Sequence, residues 1–203
     1  GANDRLCPAD VRKSKEAFRR AQVVLFQLET PLPTVAASVA LAAAAGVRVV
    51  LNPAPAQPLP AQLLKRVYLL TPNESEAELL TGLAVTNEAT AARAADKLRT
   101  RGVQNVVITM GARGAFVAGK DVQQMIPGIK VHAVDATGAG DIFNGALVVA
   151  LAEGLPLLGA AQFASAAAAI SVTRFGAQPS APTRSEIQTL LTTGKVLPGS
   201  TAC

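Results

Sequence analysis

The chain has 203 residues, a net charge of +5, half its residues hydrophobic and no Trp. That length suits one domain, and ample apolar content with modest charge excludes a disordered chain. No uninterrupted apolar run exceeds seven residues, as in 146–152, far short of the ~20 needed to span a membrane.

Alanine accounts for 40 residues, so its helices can lie close against a sheet. Gly1–Cys7 is polar and charged, unlike a secretory leader. Cys7 and Cys203 are too few and too far apart for a disulfide framework and lack metal-ligand spacing, so a cytoplasmic location is expected. The basic stretch Arg12–Arg20 carries Glu16 and Phe18 among its cations and reads as one solvated helical stretch rather than a nucleic-acid surface. The chain opens on Gly-Ala-Asn, as if cut from something longer.

In chain order, Val23–Leu28 reads as a buried strand, followed by Pro31-x-Pro33, a helical run to Ala45 and a stop at Gly46. Val47–Leu51 is the next strand and ends in Asn52-Pro53-Ala54-Pro55. A short helix near Leu59–Lys65 precedes a strand at Val67–Leu70 and the turn Thr71-Pro72-Asn73. Glu74–Thr81 and Glu88–Arg101 read as helices closed by Gly82 and Gly102, and Val106–Thr109 as a strand. Ala115–Val134 holds two β-rich pieces around Gly119-Lys120-Asp121. Helices at about 138–153, 157–172 and 183–192 complete the chain. This alternation predicts one α/β domain with a mostly parallel sheet and helices on both faces.

Three polar or glycine-rich segments follow separate strands, the edge where open parallel sheets bind ligands. The densest is Asp135-Ala136-Thr137-Gly138-Ala139-Gly140-Asp141. Small residues at 138–140 admit a ligand close to the backbone, and the helix start beyond turns N–H donors toward an anion. A carboxylate there could meet a hydroxyl being attached to phosphate, although a capped turn is the plainer alternative. The heptad matches neither the Walker A loop nor the dinucleotide fingerprint. Thr109-Met110-Gly111-Ala112-Arg113-Gly114 is a second small-residue loop, weak by itself. Thr71–Glu76 brings an amide and two carboxylates to a third strand end, where Asn73 could simply cap a helix. His132 and the isolated Phe116, Phe143, Phe163 and Phe175 read as structural.

Together with Gly1-Ala2-Asn3, Gln27-Leu28-Glu29, Asn52–Ala56, Thr71–Gly82 and Ala166–Ser180, these segments resemble the C-terminal two-thirds of the phosphofructokinase-B carbohydrate kinases. Asn52–Ala56 and Thr71–Glu78 resemble the ribose kinases within that family. The resemblance implies a Rossmann-like fold and ATP-dependent phosphorylation of the 5-hydroxyl of D-ribose, with Mg²⁺ and activation by K⁺. Another sugar or nucleoside kinase, or a catalytically silent nucleotide-binding fragment, is the alternative.

By the same resemblance, Asp141 is the base that takes the sugar's proton, and the N–H groups of Ala139 and Gly140 form the anion hole. Glu29 and Asp141 bind the sugar. Asn73, Thr109, Met110, Gly111, Ala112, Arg113, Gly114, Gly140, Asp141 and the position of Ser165 bind nucleotide. Glu76, with Asn73, organises Mg²⁺. Asp135, Thr137, Ser171, Arg174, Gly176 and Ser180 surround K⁺, several through carbonyls. Ser165 stands where some relatives carry a larger polar side chain. The family's N-terminal strands and lid have no counterpart in these residues, so sugar recognition and the lid-mediated homodimer are expected to suffer. The partners implied are a small sugar and ATP, with no nucleic acid and no membrane.

Overall fold

The computed structural model describes residues 1–196. They fall into two compact units: Gly1–Met110 with Phe116–Met125, and Gly111–Ala115 with the residues from Ile126 onward. The first unit holds α1 (Pro8–Lys13), α2 (Lys15–Arg20), β1 (Val23–Phe26), α3 (Leu32–Ala44), β2 (Arg48–Leu51) and α4 (Ala61–Leu64). Then come β3 (Leu69–Leu70), α5 (Glu74–Thr81), α6 (Glu88–Thr100) and β4 (Asn105–Thr109). Strands β5 (Gly114–Ala118) and β6 (Gln123–Pro127) follow, and the second unit carries α7 (Ala139–Ala152), α8 (Leu157–Ser171) and α9 (Arg184–Thr193).

The six strands lie in the order β1-β2-β3-β4-β5-β6. The first four pair in parallel, with Phe26 beside Leu51, Leu51 beside Leu70, and Leu70 beside Val106. β5 and β6 are joined by a four-residue turn closed by Gly119 N–H donating to the Val122 carbonyl at 2.7 Å. So short a connection leaves no room for a crossover, which makes this pair an antiparallel hairpin.

In β2 to β5 the strand residues alternate between two buried faces, whereas β1, expected as a buried strand, is half-buried along its length. Val49, Leu51, Leu70, Val106, Ile108 and Phe116 share one core with α3, α5 and α6, while Val50, Leu69, Val107 and Val117 are buried outside it. Burial on both faces explains the continuous apolar runs of the sequence. α6 presents Ala91, Ala94, Ala95 and Leu98 to that core, each fully buried at helical spacing. In the second unit α7 packs on α8 and α8 on α9. Ala160, Ala161, Ala164 and Ala167 of α8 are buried, small enough for close approach.

Three expectations are adjusted. The basic stretch is two helices rather than one: Ser14 ends α1 with its N–H on the Val11 carbonyl and stands at the start of α2 without a side-chain cap. β3 is shorter than Val67–Leu70, although Tyr68 still donates to the Val49 carbonyl and accepts from Asn105 N–H. Phe116, Phe143 and Phe163 are buried, but Phe175 is 78% exposed and His132 is exposed, so neither belongs to a core. Cys7 is exposed, and Cys203 lies outside the described residues. Among the described residues no helix is long and apolar enough to cross a membrane.

Candidate active site

The parallel ladder leaves Gln27, Asn52, Thr71 and Met110 just beyond the C-terminal ends of β1 to β4. Beyond β1, Gln27, Glu29 and Thr30 line a cavity of ≈ 260 Å³ in the first unit, with Thr34 and Ser38 of α3 on its wall. Glu29 is exposed at this cavity, where its carboxylate can accept from hydroxyls.

Asn73 and Glu76 meet beyond β3. The Asn73 side chain accepts the Glu76 N–H at 2.9 Å, and the Glu76 carboxylate accepts the Asn73 N–H at 2.8 Å, a reciprocal cap on α5. The plain reading of Asn73 as a cap is therefore correct as far as it goes. Glu76 is nonetheless 8% exposed, and burial raises its pKa against the opposing Asn73 N–H. A carboxylate in that state gains from a nearby cation. Asn73 also bridges in parallel to Thr109, whose N–H donates to the Pro72 carbonyl at 3.0 Å. So Asn73, Glu76 and Thr109 share one corner of the first unit.

Thr109 and the buried Met110 close the first unit, and Gly111–Arg113 form a 3₁₀ turn at the start of the second. Glycine is required at both ends of the contact that fixes this turn. A Cβ on Gly114 would lie 2.0 Å from the Ile126 carbonyl oxygen, and one on Gly128 would lie 1.9 Å from that of Ala112. Their absence lets Gly128 N–H donate to the Arg113 carbonyl at 2.9 Å. Gly111, Ala112 and Arg113 remain exposed.

The heptad turns into α7 at Gly138, which sits at φ +73° and supplies no side-chain cap. A Cβ there would approach that of Ala177 to 2.9 Å. Asp141 is exposed in the first turn of α7, beside an exposed Gly140 with open space where a side chain would be. The helix dipole at this position favours negative charge. Ala139 N–H turns back to the Ala136 carbonyl at 3.2 Å, a long bond that an incoming anion would have to replace. The first turn is held from below by buried Asn144, whose amide donates to the Gly140 carbonyl at 2.9 Å.

Asp135, Thr137 and Gly176 come together in the second unit. Asp135 accepts from Thr137 N–H at 2.9 Å and from Gly176 N–H at 2.8 Å. The Thr137 hydroxyl, then these two N–H groups, hold the Asp135 carboxyl below its ordinary range. Ser171 and Ser180 are buried and direct their hydroxyls to the Ala168 and Ala177 carbonyls. The Arg174 side chain pairs with Glu186. Burial pushes Glu186 up, but Arg174 and Thr183 outweigh it and hold the carboxyl low. Ser165 carries a buried hydroxyl with no hydrogen-bond partner.

Several contacts were not read from sequence. The Arg174–Glu186 and Arg184–Glu153 pairs join residues 12 and 31 positions apart, with no local pattern to announce them. Asn144 carries a weak signal, as a lone amide in the apolar run after Phe143. Among the described residues no three His, Cys, Asp or Glu side chains cluster as a metal site.

Residues 5–184 match the model of the pfkB family of carbohydrate kinases. A ribokinase of Haemophilus influenzae is 48% identical over 186 residues, covering 92% of this chain and 61% of that protein. The Staphylococcus aureus ribokinase is 42% identical over 92% of this chain and 62% of its own, and a Salmonella typhi deoxyribokinase is 36% identical over 90% and 60%. Among solved structures, a Thermotoga maritima ribokinase superimposes with a TM-score of 0.85 at 38% identity, covering 95% of this chain and 63% of that one. Arabidopsis thaliana ribokinase, complexed with ribose and ATP, gives 0.84 at 33% identity over 88% and 58%. The chain thus spans about 61% of the length of such relatives.

Proposed function

The chain belongs to the pfkB family of carbohydrate kinases, and on that premise we propose that it transfers the γ-phosphoryl group of ATP to the 5-hydroxyl of D-ribose. The observation that carries this reading is the turn into α7, where a helix start entered through glycine at φ +73° exposes Asp141 in its first turn. Two bacterial relatives named ribokinase, at 48% and 42%, are more similar to it than the deoxyribokinase at 36%. That ordering favours ribose over 2-deoxyribose.

In this reading Glu29 accepts from sugar hydroxyls and Asp141 takes the proton of the attacked one. Phosphoryl transfer passes through a loose transition state, so positioning and fixed donors do most of the work. Ala139 and Gly140 N–H groups, at the positive end of α7, stabilise charge on the transferred group. Thr109–Gly114 and the Ser165 position receive the nucleotide in this reading, although the Ser165 hydroxyl is itself buried. The 203 residues are read as one kinase domain of the family.

Mg²⁺ fits the donor set: it commonly keeps several waters and uses substrate phosphates with one or two carboxylates, so the buried Glu76 beside Asn73 suffices. Bound there it would neutralise phosphate charge. K⁺ fits the turn that Asp135 ties to Gly176, where the hydroxyls of Ser171 and Ser180 are spent on backbone carbonyls and the donors left to a cation are the Asp135 carboxylate and second lone pairs of carbonyls such as that of Ser171, which already accepts from Arg174 N–H. It would be held by Asp135 and by carbonyls from Thr137, Ser171, Arg174, Gly176 and Ser180. The site of action is the cytoplasm, and the partners are a sugar and ATP. The homodimer that the family forms through its lid is not part of this reading.

The test is sugar-dependent ADP release measured side by side with ribose, 2-deoxyribose, fructose and adenosine. Release stimulated most by ribose supports the assignment; preference for another acceptor replaces it with a different kinase of the family.

A further inference from the structure

Asn52, directly after β2, is 8% exposed, and a buried side-chain amide is tolerable only when its polar atoms are partnered. Both ends are. Its carbonyl oxygen accepts from the Gln27 side chain at 3.3 Å, and its amide nitrogen donates to the Thr71 carbonyl at 3.0 Å. One side chain therefore spans from the residue after β1 to the residue after β3. Its backbone N–H donates to the Phe26 carbonyl at 2.9 Å, and Leu28 N–H donates to the Ala54 carbonyl at 2.8 Å. The segment that begins at Asn52 thus grips the chain on either side of Gln27, two residues before Glu29.

The other end of the span leads to the nucleotide corner. Thr71 precedes Pro72, whose carbonyl accepts from Thr109 N–H, and Asn73, which shares the reciprocal cap with Glu76. A shift of the Thr71 carbonyl would be felt at the start of α5. A shift of Gln27 would be felt at the cavity that Gln27 and Glu29 both line.

We propose that Asn52 is a positioning residue that fixes the Gln27–Glu29 strand exit and the Thr71–Glu76 turn relative to one another, and so couples sugar binding to Mg–nucleotide binding. The ligands named here rest on the sugar-kinase reading; the mechanical coupling rests on the hydrogen bonds alone. Neither Gln27 nor Thr71 needs to touch a ligand for this to operate. The coupling is reciprocal: if nucleotide tightens sugar binding, sugar tightens nucleotide binding by the same factor.

Two measurements on the 203-residue chain test it. The first is backbone hydrogen exchange without ligand in Asn52→Ala and Asn52→Asp, with Leu98→Ala as a destabilised control whose core position in α6 is remote in sequence from both segments. Asn52→Ala should speed exchange about tenfold at both 27–30 and 71–76, the scale of one buried hydrogen bond lost. Asn52→Asp keeps the acceptor for Gln27 and loses the donor to Thr71, so its response should be confined to 71–76. A response of Asn52→Ala at one segment only, or one reproduced by Leu98→Ala, overturns the proposal. The second is calorimetric titration of ribose with and without Mg–ADP. The wild-type dissociation constant should change at least about fivefold with nucleotide, and the change should shrink to within about twofold in Asn52→Ala while persisting in Leu98→Ala. Coupling retained in Asn52→Ala overturns the proposal as well. Should the 203 residues alone bind no ribose, as the missing counterpart of the family's lid allows, the exchange pattern alone decides the positioning role, and the sugar-kinase reading is decided separately by sugar-dependent ADP release.

Discussion

The carboxylate of Asp135 accepts a hydrogen bond at 2.8 Å from the N–H of Gly176, a residue 41 positions away. Its other oxygen holds Thr137 N–H at 2.9 Å, inside the turn that leads to α7. Val172 reinforces the tie, since its carbonyl accepts from both Val134 and Asp135 N–H. The glycine-rich turn is therefore built on the loop after α8. Whatever orders that loop orders the N–H groups at the start of α7.

Because Asp135 titrates below its ordinary range, its contribution to stability is present above the unfolded-state pKa and is lost as pH falls through the lower folded one. Asp135→Asn should flatten the acid limb of a thermal-melting profile below about pH 4. In the cation reading, the same variant should also lose the difference between K⁺ and Na⁺ at matched ionic strength. A variant with an unchanged acid limb would remove the charged carboxylate from the turn's support.

Gly138→Ala should destabilise, since φ +73° disfavours any Cβ and this one would meet that of Ala177 at 2.9 Å. The left-handed conformation alone costs roughly 1–2 kcal/mol. Denaturant melts should show at least that loss. Gly140→Ala, with open space around its Cβ, should leave stability nearly unchanged while weakening nucleotide binding.

Glu76 works in the opposite sense to Asp135. Burial raises its pKa, so its ionised form is the costly one, and stability is lost as pH rises from the ordinary Glu value through the raised one. Glu76→Gln keeps an acceptor for the Asn73 N–H and removes the charge. The variant should melt at a higher temperature than wild type at pH 7 and bind Mg–ADP more weakly. Lower stability at pH 7 would show that the carboxylate's hydrogen bond outweighs its burial.

Local signals carried well from sequence to structure. Continuous apolar runs marked β1, β2 and β4, and the glycines after α5 and α6 marked their ends, because each depends on neighbours only a few residues away. The cap at Asn73 was legible for the same reason: Glu76 lies one helical turn beyond. Phe175 was misread because an aromatic in an Ala-rich chain suggests a core, yet it occupies the exposed turn between Arg174 and Gly176. The grip of Asp135 on Gly176 and the span of Asn52 from Gln27 to Thr71 had no local signature. They depend on which strand ends become neighbours, and the register of the sheet decides that.

The central claim is ribose phosphorylation with Asp141 as the base. The most direct measurement joins these residues to the part of the Haemophilus influenzae ribokinase that the match leaves uncovered, and follows ribose-dependent ADP release with and without Asp141→Asn. The 203 residues alone, expected to turn over far more slowly, serve as the reference. Ribose-dependent turnover in the joined protein should fall at least ~10²-fold in Asp141→Asn, the lower end for loss of a general base, while Mg–ADP affinity stays within a few-fold. Turnover in Asp141→Asn close to that of the unsubstituted protein, or ADP release indifferent to ribose, would contradict that claim.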